Sequence, residues 1–244
     1  MGITGTDVSK DAAHMILLDD NFTTIVKAIR EGRRVYDNIL KFIKYLMTTN
    51  SSELWTLLIG PLLGLPVALL PIHILWINLV SDGLPAITLS FENAEDTIMK
   101  RRPRAPDESI FAHGRGWHIL GIGIIMAGVV LTAQHVAIIE RLHWQTIVFN
   151  LLCFSQMAHL IAIRSDHQSV FKIGLLSNKP LLLAVLFTIG AQLAVTYIPF
   201  LQVIFKTQGL TALEICGVVA ASLIVFIIVE CEKLCRRRNL ITCD

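Results

Sequence analysis

Ile74-Leu-Trp-Ile-Asn78-Leu-Val-Ser81-Asp82-Gly83-Leu-Pro85 places an amide, a carboxylate and a proline inside an apolar run. The run before it holds Tyr45-Leu-Met-Thr-Thr-Asn50-Ser-Ser-Glu53-Leu-Trp55. About 20 apolar residues cross a bilayer as helix. An ionisable group at the centre of such a helix costs about 2.5–3.5 kcal/mol on insertion scales, and residues of this kind mark ion or proton paths. Glu53 and Asp82 therefore point to a membrane bundle with oxygen-rich groups inside it, and to transport as the first class of function.

The rest of the chain agrees with that reading. Its 244 residues are 54% hydrophobic with a positive mean hydropathy, too apolar for an ordinary soluble domain. Stretches near 39–63, 69–91, 116–139, 144–163, 181–198 and 211–230 are each long enough to span a bilayer. The fold class expected is an all-α membrane protein, a six-transmembrane-helix bundle. Lys and Arg crowd one side: Arg30, Arg33, Arg34, Lys41 and Lys44; then Lys100, Arg101, Arg102, Arg104 and Arg115; then Arg164, Lys172 and Lys179; and finally Lys233, Arg236, Arg237 and Arg238. The opposite loops hold only Arg141 and Lys206. By the positive-inside rule both termini are cytoplasmic, in a plasma or inner membrane. The net charge of +2 gives no reason to expect nucleic acid as a partner; membrane lipid is the partner expected.

Residues 1–37 read differently. Thr4 to Ala13 suits a short helix, His14-Met-Ile-Leu-Leu18 a buried strand, and Asp19-Asp20-Asn21 a turn capping a helix from Phe22. One strand and two helix pieces bury no core alone, so this segment is expected to be an α/β remnant of a soluble domain. Residues 38–232 form the membrane domain and 233–244 a basic tail. The helix from Phe22 should run unbroken into the first span, and Pro85 should interrupt the second, because proline removes a donor and clashes with the carbonyl of Ser81. The cysteines at 153, 216, 231, 235 and 243 form no CxxC pair, and reduced thiols are expected. Lys100-Arg-Arg-Pro-Arg104 is expected to hold the chain on the cytoplasmic side and to dock a soluble domain. Of the histidines, His73 and His143 should lie at the outer interface and His113, His118 and His167 near the inner one. His159 falls one turn from Gln156.

Asn50 and Glu53 share one helical face, as do Asn78 and Asp82. Together with the Ser81 hydroxyl and the Gln156 amide of a later span, they offer the oxygen donors that a hard cation such as calcium prefers. No thiolate or histidine pair stands at ligand spacing to suit a soft metal. The alternative is that the amides only hydrogen-bond across helices.

These residues resemble the C-terminal part of a P-type ATPase of the P2, calcium-pump-like class. Met1-Gly-Ile-Thr-Gly-Thr-Asp-Val-Ser-Lys10 is similar to the end of the phosphorylation domain. Asp19-Asp20-Asn21-Phe22 with Glu31-Gly32-Arg33 resembles the joint into the fifth membrane helix, and Asn78-Leu-Val-Ser-Asp82-Gly-Leu-Pro85 resembles the sixth. The resemblance implies that Asn50, Glu53, Asn78, Ser81 and Asp82 match cation ligands. Ser81 stands in place of the usual threonine, and Gln156 in place of a glutamate, which makes one site less anionic. It implies Ca2+ as the transported ion, with sodium/potassium, manganese and proton pumps as alternatives. Mg2+ and ATP would serve only the complete pump, whose first four helices and actuator, nucleotide-binding and phosphorylation domains are the implied partner. DKTGT, TGES and GDGxND motifs do not occur in this sequence, so it is expected not to hydrolyse ATP alone. The rival class is a stand-alone membrane module, a channel or partner subunit.

Overall fold

The computed structural model describes residues 2–95, 98–101, 103–105, 108–112, 114–165, 170 and 174–237. His113, His167, Lys172, Arg102, Arg238 and Cys243, singled out above, lie outside them. Among the described residues the chain is helical, without strands. The elements are α1 (Asp7–Asp11), α2 (Phe22–Leu62), α3 (Pro71–Trp76), α4 (Leu84–Thr88), α5 (Arg115–Ile139), α6 (Trp144–Ala162), α7 (Lys179–Tyr197), α8 (Pro199–Phe205) and α9 (Ala212–Arg237).

Asn21 starts α2 by accepting from the Thr23 amide at 3.0 Å. With 41 residues the helix is about 60 Å long, about twice what one crossing of a hydrocarbon core requires. The polar second half is compatible with burial because its hydroxyls bond the helix's own carbonyls. Thr48 donates to Lys44 O and Thr56 to Ser52 O, both at 2.7 Å.

Among the described residues, five helical stretches are long and apolar enough to cross a bilayer: Pro71–Phe91, Arg115–Ile139, Trp144–Ala162, Lys179–Tyr197 and Ala212–Cys235. They match five of the six expected spans closely. The stretch at 39–63 is helical as far as Leu62, but Lys41, Lys44, Asn50 and Glu53 keep its hydropathy below theirs.

The second expected span is wound through rather than cut. Ile77–Gly83 form a π-helix between α3 and α4, and Leu89–Phe91 close the span as a 3-10 turn. The wide turn accommodates Pro85, whose ring would collide with the Ser81 carbonyl in an α-helix. Gly83 permits it, since a Cβ there would meet the Asn78 carbonyl at 3.3 Å.

The strand expected at 14–18 is absent: Met15, Ile16 and Leu18 are exposed and only Leu17 is buried. A strand needs a neighbour to pair with, and no described residues supply one. Instead Leu17 O accepts from the Gly2 amide at 2.6 Å, and the Asp20 carboxylate accepts from Ile3 N, Thr4 N and Thr4 Oγ1.

α2 packs along α5, and α9 along α6, which is the most enclosed helix. At one end Arg33 donates to the Ile98 and Arg101 carbonyls, Arg101 pairs with Asp37, and Arg104 lies 4.5 Å over the Tyr36 ring. The basic cluster after the second span is thus wrapped around α2. At the other end Gln134 donates to Pro66 O at 2.8 Å. His73 is enclosed there rather than interfacial, 2.6 Å from Phe205 O.

Candidate functional site: an oxygen cluster inside the bundle

Glu53 on α2 is 5% exposed, and both its carboxylate oxygens are held by amides from other segments. Gln156 Nε2 of α6 donates to Oε1 at 2.9 Å, and Asn78 Nδ2 of the π-helix donates to Oε2 at 3.0 Å. Asp82, fully buried, accepts at Oδ1 from the Tyr45 hydroxyl of α2 at 3.0 Å. Ser81 Oγ donates to Cys153 Sγ at 3.3 Å, and Cys153 precedes Gln156 by about one turn of α6. The contacts close a ring: α2 through Glu53 to α6, α6 through Cys153 to the π-helix, and the π-helix through Asp82 back to α2.

The ring leaves oxygens unused. Asp82 Oδ2 and Gln156 Oε1 are buried without a hydrogen-bond partner among the described residues. A buried polar atom left unpaired costs about 1–3 kcal/mol, so each needs an explanation. A cation coordinated by oxygen supplies one, because an ion takes lone pairs and requires no donor. Among the described residues no three His, Cys, Asp or Glu side chains cluster as a metal site. The available donor set is two carboxylates, amide oxygens and a hydroxyl, which suits a hard cation.

The structure brings together five of the six residues singled out in the sequence: Glu53, Ser81, Asp82 and Gln156, all buried, and Asn78, which is exposed at the edge of the cluster. Asn50 is on the same helix as Glu53 but is exposed, and no hydrogen bond joins it to the others. A spacing of three residues is about 300° around a helix, so the two side chains diverge by about 60°.

Two further networks escaped the sequence. Gln192 of α7 accepts from Trp76 Nε1 at 2.8 Å and from Cys153 Sγ at 3.4 Å, and donates to Asn150 Oδ1 at 3.4 Å. It ties α7 to both α3 and α6 behind the cluster. Towards the basic end, Arg164 and Glu92 form an ion pair at 2.8 Å with side chains 1% and 4% exposed. Asn178 Nδ2 adds 2.9 Å to Glu92 Oε2, and Asn38 Nδ2 donates to Glu92 O at 2.9 Å. This clasp joins α2, the end of the π-bearing span, α6 and α7. Deep within the same end, His159 stacks between Tyr45 and His118 at 6.1 and 5.5 Å, facing the bundle as its spacing suggested.

A family description, "Cation transporting ATPase, C-terminus", matches residues 66–235. The calcium-transporting ATPase of Bacillus subtilis (strain 168) is 44% identical over 216 residues, 86% of this chain and 24% of that protein. Calcium-transporting ATPase 1 of Bacillus cereus (strain ATCC 10987 / NRS 248) is 37% identical over 97% of this chain and 29% of its own length. Calcium-transporting ATPase type 2C member 2 of Homo sapiens is 35% identical over 97% of this chain and 26% of its own length. The chain thus spans about a quarter of the curated relatives that it matches.

Proposed function

The chain belongs to the cation-transporting ATPases, and we propose that it is the calcium-translocating membrane part of such a pump. The observation that carries this reading is the ring of Glu53, Asn78, Ser81, Asp82 and Gln156, with two buried oxygens left open within it. Glu53 and Asp82 supply the charge, Ser81 a hydroxyl, and Asn78 and Gln156 amide oxygens after a modest rotation. Calcium takes roughly six to eight oxygens at irregular geometry, and the π-helix loosens backbone carbonyls next to these side chains. The relatives named above are called calcium-transporting, which supports calcium over sodium, potassium, manganese or protons as cargo.

Asn50 enters this site as an outer ligand, reached by a small rotation of α2 or completed by helices of the larger protein. The C-terminal half of α2 serves as the sixth span, its polar face turned to the cluster. The N-terminal half of α2 conveys movement of soluble domains to Glu53, since one continuous helix transmits displacement along its axis. Residues 1–37 belong to the phosphorylation domain of the complete pump, which would use ATP and Mg2+. Both termini face the cytoplasm.

The test is a chimera joining the preceding part of the Bacillus subtilis relative to this chain. Asp82→Asn should weaken calcium activation of phosphoenzyme formation by at least about tenfold. Unchanged calcium dependence would remove Asp82 from the site.

A further inference from the structure

Three turns lie at the end of the bundle away from the clasp, at 63–70, 140–143 and 206–211, and they contain two Lys or Arg residues, Arg141 and Lys206. These two lie 65 positions apart in sequence yet line the same polar cavity of about 350 Å³, together with His143 and Gln208. Both residues are in the left-handed backbone region, at φ 54° and 52°, where glycine is the usual occupant. Each turn therefore keeps a cationic side chain at a position whose backbone favours none.

Directly beneath, sharing Leu142 with the polar cavity, an apolar cavity of about 670 Å³ runs between α5 and α9 with α6 as its floor. Gly128, Ala133, Val136, Gly217, Val218 and Ala221 line it, the small residues leaving room between helices that elsewhere would touch. Glu214 stands at the junction of the two cavities. Its carboxylate is engaged by Thr211 N at 2.7 Å, Thr211 Oγ1 at 2.9 Å and His143 N at 3.4 Å. This capping box fixes the first turn of α9 beside the cavity.

We propose that the paired cavities form a binding site for one anionic phospholipid: its phosphate between Arg141 and Lys206, an acyl chain between α5 and α9. Charge complementarity selects this occupant. A transmembrane helix from another protein would fill the apolar cavity without using the two cations, and a free phosphate would use the cations without the apolar cavity. A lipid uses both, in the order in which depth presents them: charge at the membrane surface, hydrocarbon below. The proposal is independent of the calcium reading, because none of these residues touches the oxygen cluster.

The experiment is native mass spectrometry of the purified full chain, released from mild detergent after equilibration with phosphatidylglycerol or phosphatidylcholine of identical acyl chains. The chain should retain phosphatidylglycerol about fivefold more than phosphatidylcholine. Arg141→Gln with Lys206→Gln, both at exposed turns, should abolish the preference while leaving phosphatidylcholine retention unchanged. Gly217→Leu should lower retention of both lipids. Equal retention of the two lipids by the unaltered chain overturns the proposal, as does a preference that survives loss of both cations. Displacement of the retained lipid by millimolar glycerol phosphate also overturns it, since the apolar cavity would then contribute nothing.

Discussion

The Tyr45 hydroxyl donates to Asp82 Oδ1 across 3.0 Å, linking two helices where both side chains are fully buried. This hydrogen bond holds Asp82 facing α2, the helix of Glu53. Removing it leaves a buried polar group short of a partner, at a cost of about 1–3 kcal/mol. Tyr45→Phe should therefore lower the thermal stability of the purified chain, while Asn50→Ala, on the exposed side of the same helix, should leave it within about 0.5 kcal/mol. Tryptophan fluorescence during heating distinguishes the two.

The Arg164–Glu92 pair should behave as an enclosed ion pair. Removing one partner strands the other, which costs about 3–5 kcal/mol, whereas removing both costs much less. Arg164→Met and Glu92→Gln should each destabilise strongly, and the double variant should be more stable than either. A double-mutant cycle on chemical unfolding reads this; additive losses would show that the pair is not coupled.

Gly123 of α5 packs closely against α2 at Ser51. A Cβ there would meet Ser51 Oγ at 2.5 Å and Ser51 Cβ at 2.8 Å. Gly123→Ala should cost about 1–3 kcal/mol through overpacking, and adding Ser51→Gly should recover most of it. Gly121→Ala, with open space around it, should be nearly neutral. Comparative unfolding of the variants measures all of these.

The N-terminal segment gives a pH prediction. Burial works to raise the Asp20 carboxyl, but the hydrogen bonds from Thr4 Oγ1, Ile3 N and Thr4 N outweigh it and hold the group at about 2, below the ordinary 3.8. A carboxyl depressed in the folded state stabilises above its unfolded value and loses that contribution as pH falls through the folded one. The contact between residues 2–4 and 17–20 should persist at neutral pH and open between about pH 4 and 2. Pepsin cleavage near Leu17 should accelerate over that interval relative to Asp20→Asn, in which the contact is already weakened at pH 4.

Much of this arrangement was legible in the sequence because bilayer geometry constrains it. Apolar length alone placed the spans that begin at Pro71, Arg115, Trp144, Lys179 and Ala212 within a few residues. The Asn21 cap and the absence of breakers forecast α2. Glu53 and Asp82 announced themselves by the cost of their location, and Gln156 by its depth in a later span. What remained hidden depends on tertiary partners. The strand at 14–18 lacks a neighbour to pair with. Pro85 signalled a disturbance but not that π winding would begin at Ile77, eight residues earlier. Arg164 and Glu92 lie at span ends, where single charges are commonplace, and 72 positions separate the two halves of the clasp. Asn50 shows the limit of helical spacing: a shared face predicts proximity to Glu53 but not which of the two side chains points inward.

Calcium titration of Glu53→Gln, Asp82→Asn and the double variant, in the chimera described above, tests the central claim most directly. Two carboxylates that hold the same ion are not independent, so each single substitution should weaken binding by at least about tenfold and the double variant by little more than the worse single. Multiplying losses would place the two groups on separate ions. Unchanged affinity in both singles would contradict the cation site altogether.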